Sequence, residues 1–396
     1  MYIVGLISGT SVDGIDAALC DISDAVDGTF TLSVIYANTY SYPDNVRNRI
    51  LQLCTTDPTP VEETCRLNVE IGQAFAEAAL RVIADAGYAL EHVDIIASHG
   101  QTVWHTVEAD GHVHSTLQLG EGAVIAEQTG RTVIHNFRAR DVAAGGQGAP
   151  LASYLDWVRL RHPTRWRAIQ NIGGIGNVSF LPPTTDTTHQ PLSFDTGPGN
   201  ILIDSAVHIL TEGEHRYDPN GEMARDGHVD DAWLMQLLAH PYYALQPPKT
   251  TGRELFSADM AADLVAEGRR RQRTANDILA TLTALTAASI AASYHRFAPV
   301  QIDEVIVGGG GRNNATLMQM LRDKLSPATV LTSDDMHISS DYKEALLFAL
   351  LGYQAWHHRP NTIAAMTGAA HDVVMGQITP GANYVSLLQR TWCANN

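Results

Sequence analysis

The amino-acid sequence predicts a two-domain α/β protein. A chain of 396 residues is longer than one hydrophobic core usually supports, so two domains are expected. The apolar fraction of 45% and the 32 glycines are typical of a folded α/β protein and not of a disordered chain. Each half of the chain also opens with an apolar strand, a glycine-containing turn and a second strand.

In the first half, apolar segments at residues 2–8 and 15–22 flank a turn of small and polar residues, which predicts a β-hairpin. A third strand is predicted over residues 31–40 because β-branched and aromatic residues are frequent there. Apolar residues at helical spacing predict a helix over residues 61–86. Shorter strands are predicted at residues 93–98, before a loop at 99–102, and at residues 132–136.

In the second half, strands predicted at residues 166–172 and 177–181 flank a glycine-rich turn. A short strand at residues 192–194 leads into a turn and a helix that begins at Ile201. A long amphipathic helix that packs on the core is predicted over residues 275–297. A strand at 302–307, a four-glycine turn and a helix at 314–325 follow. By composition, the change of domain falls near residues 142–150.

The formal net charge is −17, from 26 Lys and Arg against 43 Asp and Glu spread along the chain. A nucleic-acid or anionic membrane surface needs clustered Lys and Arg, so neither partner is expected. Small anionic ligands remain compatible with this charge, because a few backbone N–H groups can bind a phosphate locally.

The four cysteines are widely spaced and form no CxxC pair, which favours a reduced compartment over a zinc site. Residues 1–8 lack a basic segment and are predicted as a strand, so no signal peptide is expected. The longest apolar stretch, near residues 345–351, is too short to span a bilayer. We therefore expect a soluble cytoplasmic protein.

The turn of the first hairpin has the composition of a phosphate-binding loop. Glycine lets the backbone approach a ligand closely, and neighbouring N–H groups and hydroxyls can bind phosphate oxygens. Asp13 or Asp16 could hold Mg²⁺, which prefers carboxylate and water oxygens. A plain hairpin turn stays open as an alternative, because Asp and Gly favour turns for local reasons. The segment comprises Gly9, Thr10, Ser11, Val12, Asp13, Gly14, Ile15 and Asp16.

Four consecutive glycines, Gly308, Gly309, Gly310 and Gly311, lie between a predicted strand and a predicted helix. Because each glycine costs about 0.5–1 kcal/mol relative to alanine in a regular element, a compensating close approach of a flat ligand or a phosphate is expected. The segment contains neither the P-loop GxxxxGK[ST] nor a dinucleotide fingerprint. A flexible connection is the alternative.

A third motif, residues 195–200 (DTGPGN), places the Asp195 carboxylate after a short strand and before a helix. A general base in this position could lie beside the γ-phosphate of a nucleotide. The alternative is that Asp195 caps the helix, a common role for Asp.

Together these motifs resemble the actin/hexokinase-like sugar kinases, and longer strings resemble one branch, the anhydro-N-acetylmuramic acid kinase family. The resemblance covers essentially the whole chain, including Thr367-Gly368-Ala369, Gly376 and Pro380-Gly381 near its end. The strings are residues 5–16 (GLISGTSVDGID), 98–102 (SHGQT), 136–151 (NFRARDVAAGGQGAPL), 171–177 (NIGGIGN), 194–200 (FDTGPGN) and 307–313 (VGGGGRN).

The resemblance implies an actin/hexokinase-like ATPase fold, with two ribonuclease H-like lobes and a nucleotide cleft between them. It implies an N-terminal lobe of residues 1–141 plus 366–396 and a C-terminal lobe of residues 142–365. The implied cofactors are ATP and Mg²⁺, with Gly173, Gly174 and Gly197 near the nucleotide and Asp13 as a metal ligand. It is also compatible with a homodimer.

Family members open the intramolecular bond of 1,6-anhydro-N-acetylmuramic acid with water and phosphorylate O6, giving N-acetylmuramic acid 6-phosphate and ADP. This sugar comes from peptidoglycan, so the resemblance implies cell-wall recycling and amino-sugar catabolism. A kinase of an ordinary hexose or amino sugar, without ring opening, is the alternative on the same fold. A chaperone or filament protein would need long insertions, and an ATP-independent hydrolase would leave the glycine loops unexplained.

The resemblance also assigns roles to side chains. Asp195 matches the catalytic base, and Glu344 approaches the sugar or the γ-phosphate, with an ordinary exposed helix Glu as the alternative. Arg138 suits a lactyl carboxylate because a guanidinium binds two oxygens at once. For His99, a hydrogen-bonded loop histidine is the alternative. The implied sugar-binding residues are His99, Gln101, Arg138 and Asp141.

Two segments stay open. The histidines at 105, 112 and 114 have no Cys or carboxylate to complete a familiar zinc ligand set, so a solvated loop is expected there. Residues 217–251 contain Tyr242, Tyr243 and Lys249, together with prolines at 247 and 248, which could line the nucleotide side or the sugar side.

Overall fold

The computed structural model describes residues 1–9, 11–24, 30–55, 58–108, 112–247, 249–252, 255–336 and 342–393. The strands are β1 (Tyr2–Ser8), β2 (Ile15–Asp24), β3 (Phe30–Tyr40), β4 (Val93–Val107), β5 (Val113–Leu119), β6 (Thr132–His135), β7 (Arg167–Ile172), β8 (Ile175–Leu181), β9 (Leu192–Pro198), β10 (Glu304–Gly308), β11 (Thr329–Thr332) and β12 (Gln377–Thr379).

The helices are α1 (Asp44–Leu53), α2 (Val61–Asp85), α3 (Gly122–Thr129), α4 (Phe137–Ala143), α5 (Ala152–Leu160), α6 (Ile201–Leu210), α7 (Glu222–Arg225), α8 (Asp231–Leu238), α9 (Ala258–Arg270), α10 (Ala275–Phe297), α11 (Ala315–Leu325), α12 (Lys343–Trp356), α13 (Ala364–Thr367) and α14 (Tyr384–Leu388). Short 3₁₀ turns lie at Leu90–His92, Pro219–Gly221, Pro241–Ala244 and Gly310–Asn313.

The chain divides into two compact units, which are described separately. Unit 1 comprises Met1–Leu155 and Asp341–Asn396, and unit 2 comprises Asp156–Ser340. These bounds differ from the lobes implied by the resemblance, because residues 142–155 and helix α12 lie in unit 1. The reason is packing: α12 lies directly against β1, β2 and β4.

Unit 1 is built on a seven-stranded sheet with the order β12-β6-β4-β1-β2-β3, and β5 pairs with β4. The first three strands are antiparallel neighbours, while β1 pairs with β4 and β4 with β6 in parallel. Helix α2 covers the sheet with an apolar stripe that includes Leu67, Ile71 and Phe75, all fully buried. The helical spacing in the sequence predicted this face.

Unit 2 is built on a five-stranded sheet with the order β11-β10-β7-β8-β9. Strands β7, β8 and β9 are antiparallel neighbours, while β7 pairs with β10 and β10 with β11 in parallel. Both units therefore contain three consecutive antiparallel strands followed by two parallel ones. This is the ribonuclease H-like arrangement, and its duplication confirms the predicted actin/hexokinase-like fold class.

Helix α10 forms the core of unit 2. It is long and apolar enough to cross a membrane by length and composition, but 78% of that apolar window is buried inside the protein. The sequence predicted an amphipathic helix, whereas α10 is buried on nearly all sides, with hydroxyl side chains among its buried residues. One of these, Thr286, donates through Oγ1 to the carbonyl oxygen of Gly199 at 2.8 Å. The buried polar side chains therefore connect the helix to neighbouring turns.

Strand β4 corrects two predictions. Residues 99–102, predicted as a loop, lie within β4, and the predicted loop around His105 is part of a hairpin in which His105 pairs with Thr116 of β5. His112 immediately precedes the second hairpin strand, β5, and His114 lies within it. Gly100 adopts a left-handed φ of 77°, and a Cβ there would lie 2.4 Å from the Leu119 carbonyl oxygen. Gly100, which the sequence analysis placed in a loop, thus allows a close contact between strands β4 and β5.

The packing of α12 on β1 predicts the effect of Gly5→Ala. An added Cβ at Gly5 would lie 1.9 Å from the Ala345 carbonyl oxygen and 2.7 Å from the Ala349 nitrogen. Because both obstacles are backbone atoms of a buried helix, we expect the free energy of unfolding to fall by about 2 kcal/mol or more. Urea unfolding followed by circular dichroism measures it.

The matched control is Val61→Ala in the same unit, where the side chain is 84% exposed. Its unfolding free energy should change by less than about 0.5 kcal/mol. Equal unfolding midpoints for the Gly5→Ala variant and the unsubstituted protein would contradict the packing described for α12.

Candidate active site

The turn between β1 and β2 is held in a strained but well-fixed conformation. Val12 is fully buried with a φ of 52°, which is unusual for a β-branched residue. Its N–H donates to Gly9, and its carbonyl accepts from Nε of Arg47 at 2.8 Å. Gln101 also reaches this turn, donating from Nε2 to the Gly9 carbonyl at 3.2 Å. Such strain persists where surrounding contacts enforce it, commonly at ligand sites.

The predicted phosphate loop is thus described from Gly9 and from Ser11 through Asp16, and Thr10 lies outside the described residues. Ser11 and Asp13 are exposed, whereas Gly14 and Ile15 are buried at the start of β2. Asp16 is half-buried, and its Oδ1 accepts from Thr39 Oγ1 of β3 at 2.6 Å.

These carboxylates fit a divalent cation of the kind that accompanies a nucleotide. Among the described residues there is no group of three or more His, Cys, Asp or Glu that could hold a metal on its own. Mg²⁺ in phosphoryl-transfer sites keeps several waters and takes one or two carboxylates plus phosphate oxygens. Asp13, which is exposed, and Asp16 can supply such carboxylates.

His99, which is buried, and Arg138, which is half-buried, form a pair at the same sheet edge of unit 1. Nδ1 of His99 lies 2.9 Å from the Gly100 carbonyl, which can only accept, so Nδ1 carries the proton. Nε2 then accepts from Nε of Arg138 at 2.8 Å. Burial, with the Arg138 charge, holds the pKa of His99 well below its usual value. His99 is therefore neutral, with both ring nitrogens bonded within the protein.

Arg138 also interacts electrostatically with Glu344. Its Nη1 donates to the Gly148 carbonyl at 2.5 Å. Burial lowers the pKa of Arg138, while the charges of Glu344 and Asp141 oppose that shift. Glu344 lies in the first turn of α12 and is solvent-exposed. One turn later in the same helix, the buried Phe348 packs against His99, with 4.6 Å between the ring centroids.

Desolvation by the surrounding protein raises the pKa of the Glu344 carboxyl. The positive charge of Arg138 lowers this pKa, and the negative charge of Asp16 raises it. Three of the predicted site residues, Asp16, Arg138 and Glu344, are therefore electrostatically coupled. The structure thus brings a guanidinium and two accessible carboxylates into one neighbourhood of unit 1.

Asp141 and Gln101, also predicted to bind a sugar, are fully buried. Oδ1 of Asp141 accepts from Thr367 Oγ1 at 2.7 Å, and Oδ2 accepts from the Gly148 N–H at 2.8 Å. Gln101 accepts from the Tyr42 hydroxyl at 3.4 Å in addition to its bond to the β1–β2 turn. These bonds hold the loops around Arg138 in place. Direct contact of either side chain with a sugar stays a prediction.

In unit 2, three turns converge at one sheet edge. Strands β7 and β9 both run antiparallel to β8, and β10 runs parallel to β7, so their carboxyl ends meet there. The Gly199 N–H donates to the Gly174 carbonyl at 2.9 Å, and the Asn200 N–H donates to the Gly173 carbonyl at 2.8 Å. This edge is the usual ligand-binding edge of α/β sheets.

The third turn of this edge follows β10. Gly308 ends the strand, and Gly309 adopts a φ of 79°, where a Cβ would lie 2.6 Å from Asn171 Oδ1 of β7. A Cβ at Gly311 would lie 2.4 Å from Ile172 Cγ2. Gly309 and Gly311 are therefore required for packing, but Gly308 and Gly310 are not.

Most described glycines have a local reason to be glycine, either a left-handed φ or a neighbour that a Cβ would strike. Among the glycines whose surroundings the structure describes, five have neither. Their φ lies outside the left-handed region, and an added Cβ would meet no atom beyond the chain neighbours closer than 3.6 Å. These five are Gly9, Gly173, Gly174, Gly308 and Gly310. All five lie in the loops predicted to bind the nucleotide, which indicates open space for a ligand beside the backbone.

Asp195 lies inside β9, opposite Asn177 of β8, and not in a turn before the helix. Helix α6 begins at Ile201 after Asn200, with no side-chain cap. The Oδ2 atom of the Asp195 carboxylate instead accepts a hydrogen bond from the Thr251 N–H at 2.9 Å. The helix-cap interpretation of Asp195 is therefore wrong, because its side chain is bonded elsewhere.

Three residues form what we call the Asp195 clamp: Tyr242, Lys249 and Thr251. The Asp195 N–H donates to the Lys249 carbonyl at 3.0 Å, and the Tyr242 hydroxyl donates to the Asp195 carbonyl at 2.8 Å. The buried Thr251 Oγ1 has no hydrogen-bond partner among the described residues. Since a buried hydroxyl gains free energy from a partner, this position is suited to a polar ligand or water.

Gly197, also predicted near the nucleotide, adopts a φ of 137°, and a Cβ there would lie 2.8 Å from the Tyr243 ring. The segment around Tyr242 and Lys249, for which the sequence did not decide between the nucleotide side and the sugar side, thus packs against strand β9. The sequence pattern did not single out Thr251, whose contribution is a backbone N–H. It also passed over Asp204 of α6, where burial raises the carboxyl pKa to about 6.

Comparison with known proteins identifies the family. Residues 1–381 match the family described as anhydro-N-acetylmuramic acid kinase. A protein of that name from Acaryochloris marina is 45% identical over 381 residues, which cover 96% of this chain and 99% of the relative. One from Bacillus cereus is 42% identical over 384 residues, with the corresponding coverages of 96% and 99%.

One similar solved structure is much more distant in sequence. A ROK hexokinase from Thermus thermophilus is 14% identical with a TM-score of 0.36, covering 88% of this chain and 98% of that one. Such a score adds nothing to the fold assignment, which rests on the strand order of the two sheets. The family match and the near-full-length relatives suffice: this chain belongs to the anhydro-N-acetylmuramic acid kinase family.

Proposed function

We propose that this chain uses ATP and Mg²⁺ to open 1,6-anhydro-N-acetylmuramic acid with water and to phosphorylate O6, giving N-acetylmuramic acid 6-phosphate and ADP. Family membership supports the reaction. The observation that supports the site is the set of five glycines, in three loops, that neither φ nor packing requires. Their N–H groups and the space beside them suit phosphate oxygens and a flat adenosine.

Asp195 is the proposed base. It takes a proton from water as the water oxygen bonds to C1, the C1–O6 bond breaks, and O6 bonds to the γ-phosphorus while ADP leaves. Coupling the departure of O6 to phosphoryl transfer avoids a free alkoxide. The hydrogen bond from the Thr251 N–H orients the Asp195 carboxylate before the reaction, so that little conformational entropy is lost in the reaction step.

Mg²⁺ held by Asp13 and Asp16 would neutralise charge on the phosphates when bound. Arg138 is the proposed partner of the lactyl carboxylate, oriented by neutral His99 and the Gly148 carbonyl. Glu344, coupled to Arg138, is proposed to contact the sugar hydroxyls or the γ-phosphate. Gln101 and Asp141 support the loops around them.

We place the reaction in the cytoplasm, where ATP is available, as part of peptidoglycan recycling and amino-sugar catabolism. A homodimer is compatible with the family resemblance. The net charge of −17 supports the absence of nucleic-acid and anionic-membrane partners.

The variant Asp195→Asn tests the base. Asn keeps the shape and can still accept from the Thr251 N–H, but it cannot take a proton from water. We expect the turnover of the anhydro sugar to fall at least about 100-fold, while ATP affinity changes little. The assay uses ATP, Mg²⁺, 1,6-anhydro-N-acetylmuramic acid and ¹⁸O-labelled water, with the product read promptly by mass spectrometry.

In the unsubstituted protein, a 6-phosphorylated product labelled at C1 supports the proposal. Phosphorylation of a plain amino sugar, with the anhydro sugar untouched, would instead establish the ordinary sugar-kinase alternative. Full activity of Asp195→Asn would remove Asp195 from the role of base.

The variant Gly308→Ala tests the open space of the glycine loop. Because the added Cβ meets no protein atom closer than 4.0 Å, the stability should change by less than about 0.5 kcal/mol. The same methyl group would occupy ligand space, so ATP affinity should fall about tenfold, or about 1.4 kcal/mol. Calorimetric titration with ATP and Mg²⁺ measures this affinity.

The matched control is Gly311→Ala, whose Cβ would strike Ile172 at 2.4 Å. It should lose about 1–3 kcal/mol of stability. An unchanged ATP affinity in stable Gly308→Ala would show that the nucleotide does not lie against this loop.

A further inference from the structure

A row of side chains crosses the sheet of unit 2, from the four-glycine loop to the proposed base. In the strand register, Gly308 of β10 lies opposite Asn171 of β7, and Asn171 lies opposite Asn177 of β8. Asn177 in turn lies opposite Asp195 of β9. Residues directly opposite each other in a sheet present their side chains on the same face. Two asparagines without an assigned role therefore lie between the glycine loop and Asp195.

This row lies on the face of the sheet that is turned away from the hydrophobic core. Side chains alternate between the two faces along a strand. Ile172, Val178 and Phe194, the chain neighbours of the row, are buried in the core of unit 2. By contrast, Asn171 is exposed and Asn177 is half-buried. A ligand at this edge of the sheet can therefore reach both asparagine side chains.

We propose that the side-chain amides of Asn171 and Asn177 bind the phosphates of the nucleotide, with Asn177 at the γ-phosphoryl group. The inference rests on the proposed function, which assigns Asp195 as the base and the four-glycine loop to adenosine. Each amide donates a hydrogen bond from Nδ2 to a phosphate oxygen and transfers no proton.

The backbone of both asparagines is fixed, while their amides are unused. Nε2 of the fully buried Gln170 donates to the Asn171 carbonyl at 3.2 Å and to the Asn177 carbonyl at 2.9 Å. Neither asparagine amide has a hydrogen-bond partner among the described residues of the protein. Because a buried side chain holds the two residues in place, their amides are oriented before a ligand arrives.

The open space beside two of the glycines adjoins Asn171. A Cβ at Gly308 would meet Asn171 Oδ1 as its nearest atom, at 4.0 Å. A Cβ at Gly173 would lie 3.7 Å from Asn171 Nδ2. Both glycines belong to the set that neither φ nor packing requires. The donor end of the Asn171 amide thus faces the turn whose N–H groups suit phosphate oxygens.

The length of the row suits an extended nucleotide. Neighbouring strands lie about 4.8 Å apart, so the three steps from Gly308 to Asp195 cover about 14 Å. With adenosine at the glycine loop and the reacting phosphorus near the base, the inner phosphates lie beside Asn171. The γ-phosphoryl group then lies beside Asn177, one strand from Asp195.

The guanidinium next to the glycine loop is already engaged. Arg312, in the turn after the glycines, pairs through Nε with Asp334 at 3.1 Å. Its Nη1 donates to the Gly309 carbonyl at 3.0 Å. Neutral amides are therefore the side-chain donors that this part of the row offers, and a hydrogen bond to a charged phosphate is stronger than one between neutral groups.

The variant Asn171→Ala tests the inner phosphates. Adenosine, ADP and ATP are titrated by calorimetry in the presence of Mg²⁺ and without sugar. Loss of a hydrogen bond to a charged group should weaken ADP and ATP about tenfold each. Adenosine, which has no phosphate, should bind within about twofold of its affinity for the unsubstituted protein. Unchanged ADP affinity, or an equal loss for adenosine, would overturn the assignment of Asn171.

The variant Asn177→Ala separates the γ-phosphoryl group from the inner phosphates. ATP should bind about tenfold more weakly. ADP and adenosine should bind within about twofold of their original affinities, because neither carries a γ-phosphoryl group. A purely structural role of Asn177 would weaken all three ligands together. Such a uniform loss, or an unchanged ATP affinity, would overturn the assignment of Asn177.

The matched control is Asn276→Ala, at the start of α10 and half-buried like Asn177. Asn276 lies ten residues before Thr286, which bonds to Gly199, or about 15 Å along the helix. All three ligands should bind this variant as they bind the unsubstituted protein. A tenfold loss of ADP and ATP here would show that the effects are not specific to the row and would overturn the inference.

Nucleotide binding and sugar turnover separate this inference from the proposed function. The expected pattern of affinities in a protein that leaves the anhydro sugar untouched would support the inference and remove the proposed reaction. Turnover of the anhydro sugar with unchanged nucleotide affinities in both alanine variants would do the reverse. An unsubstituted protein that binds neither ADP nor ATP would overturn both.

Discussion

The candidate site depends on the close approach of two turns in unit 2. The turn after β9 donates two N–H groups to the carbonyls of the turn after β7, at 2.8 and 2.9 Å. A Cβ at Gly199 would lie 2.3 Å from the Gly173 carbonyl, so this approach requires glycine. The consequence is that the remaining N–H groups of both turns stay at the sheet edge, where a phosphate can accept from them.

The rigid core behind each sheet holds such loops in a well-defined conformation. Helix α12 is buried from Ala345 to Trp356 against the strands of unit 1, and α10 is buried over most of its length in unit 2. Neither helix can shift without opening a cavity, because side chains and glycines fit directly against them. The closely packed backbone of the helices and strands therefore determines the geometry of the loops, although the loops themselves are rich in glycine.

Electrostatics explain how an acidic chain can bind anions. The net charge of −17 is diffuse, whereas the candidate sites contain backbone N–H groups and single cations that are buried or half-buried. Arg138 is fixed by His99 and by a carbonyl, and Lys249 by a carbonyl and aromatic rings. Because Lys249 is buried and Arg138 is half-buried, each acts more strongly on its neighbours than a fully exposed charge would. The position of a charge, more than the sum of charges, decides which ligands are compatible.

The sequence by itself determined the fold class, the family and the position of the glycine loops, because periodicity and motifs are local properties of the chain. Only the tertiary structure decided which glycines are there for packing and which leave space, since that depends on atoms from distant strands. It also placed Asp195 inside strand β9 and excluded the alternative of a helix cap, because Asp195 is bonded to the Thr251 N–H and the Lys249 carbonyl. Those partners lie more than fifty residues away, and both bond through their backbone, so no local pattern in the sequence could have indicated them.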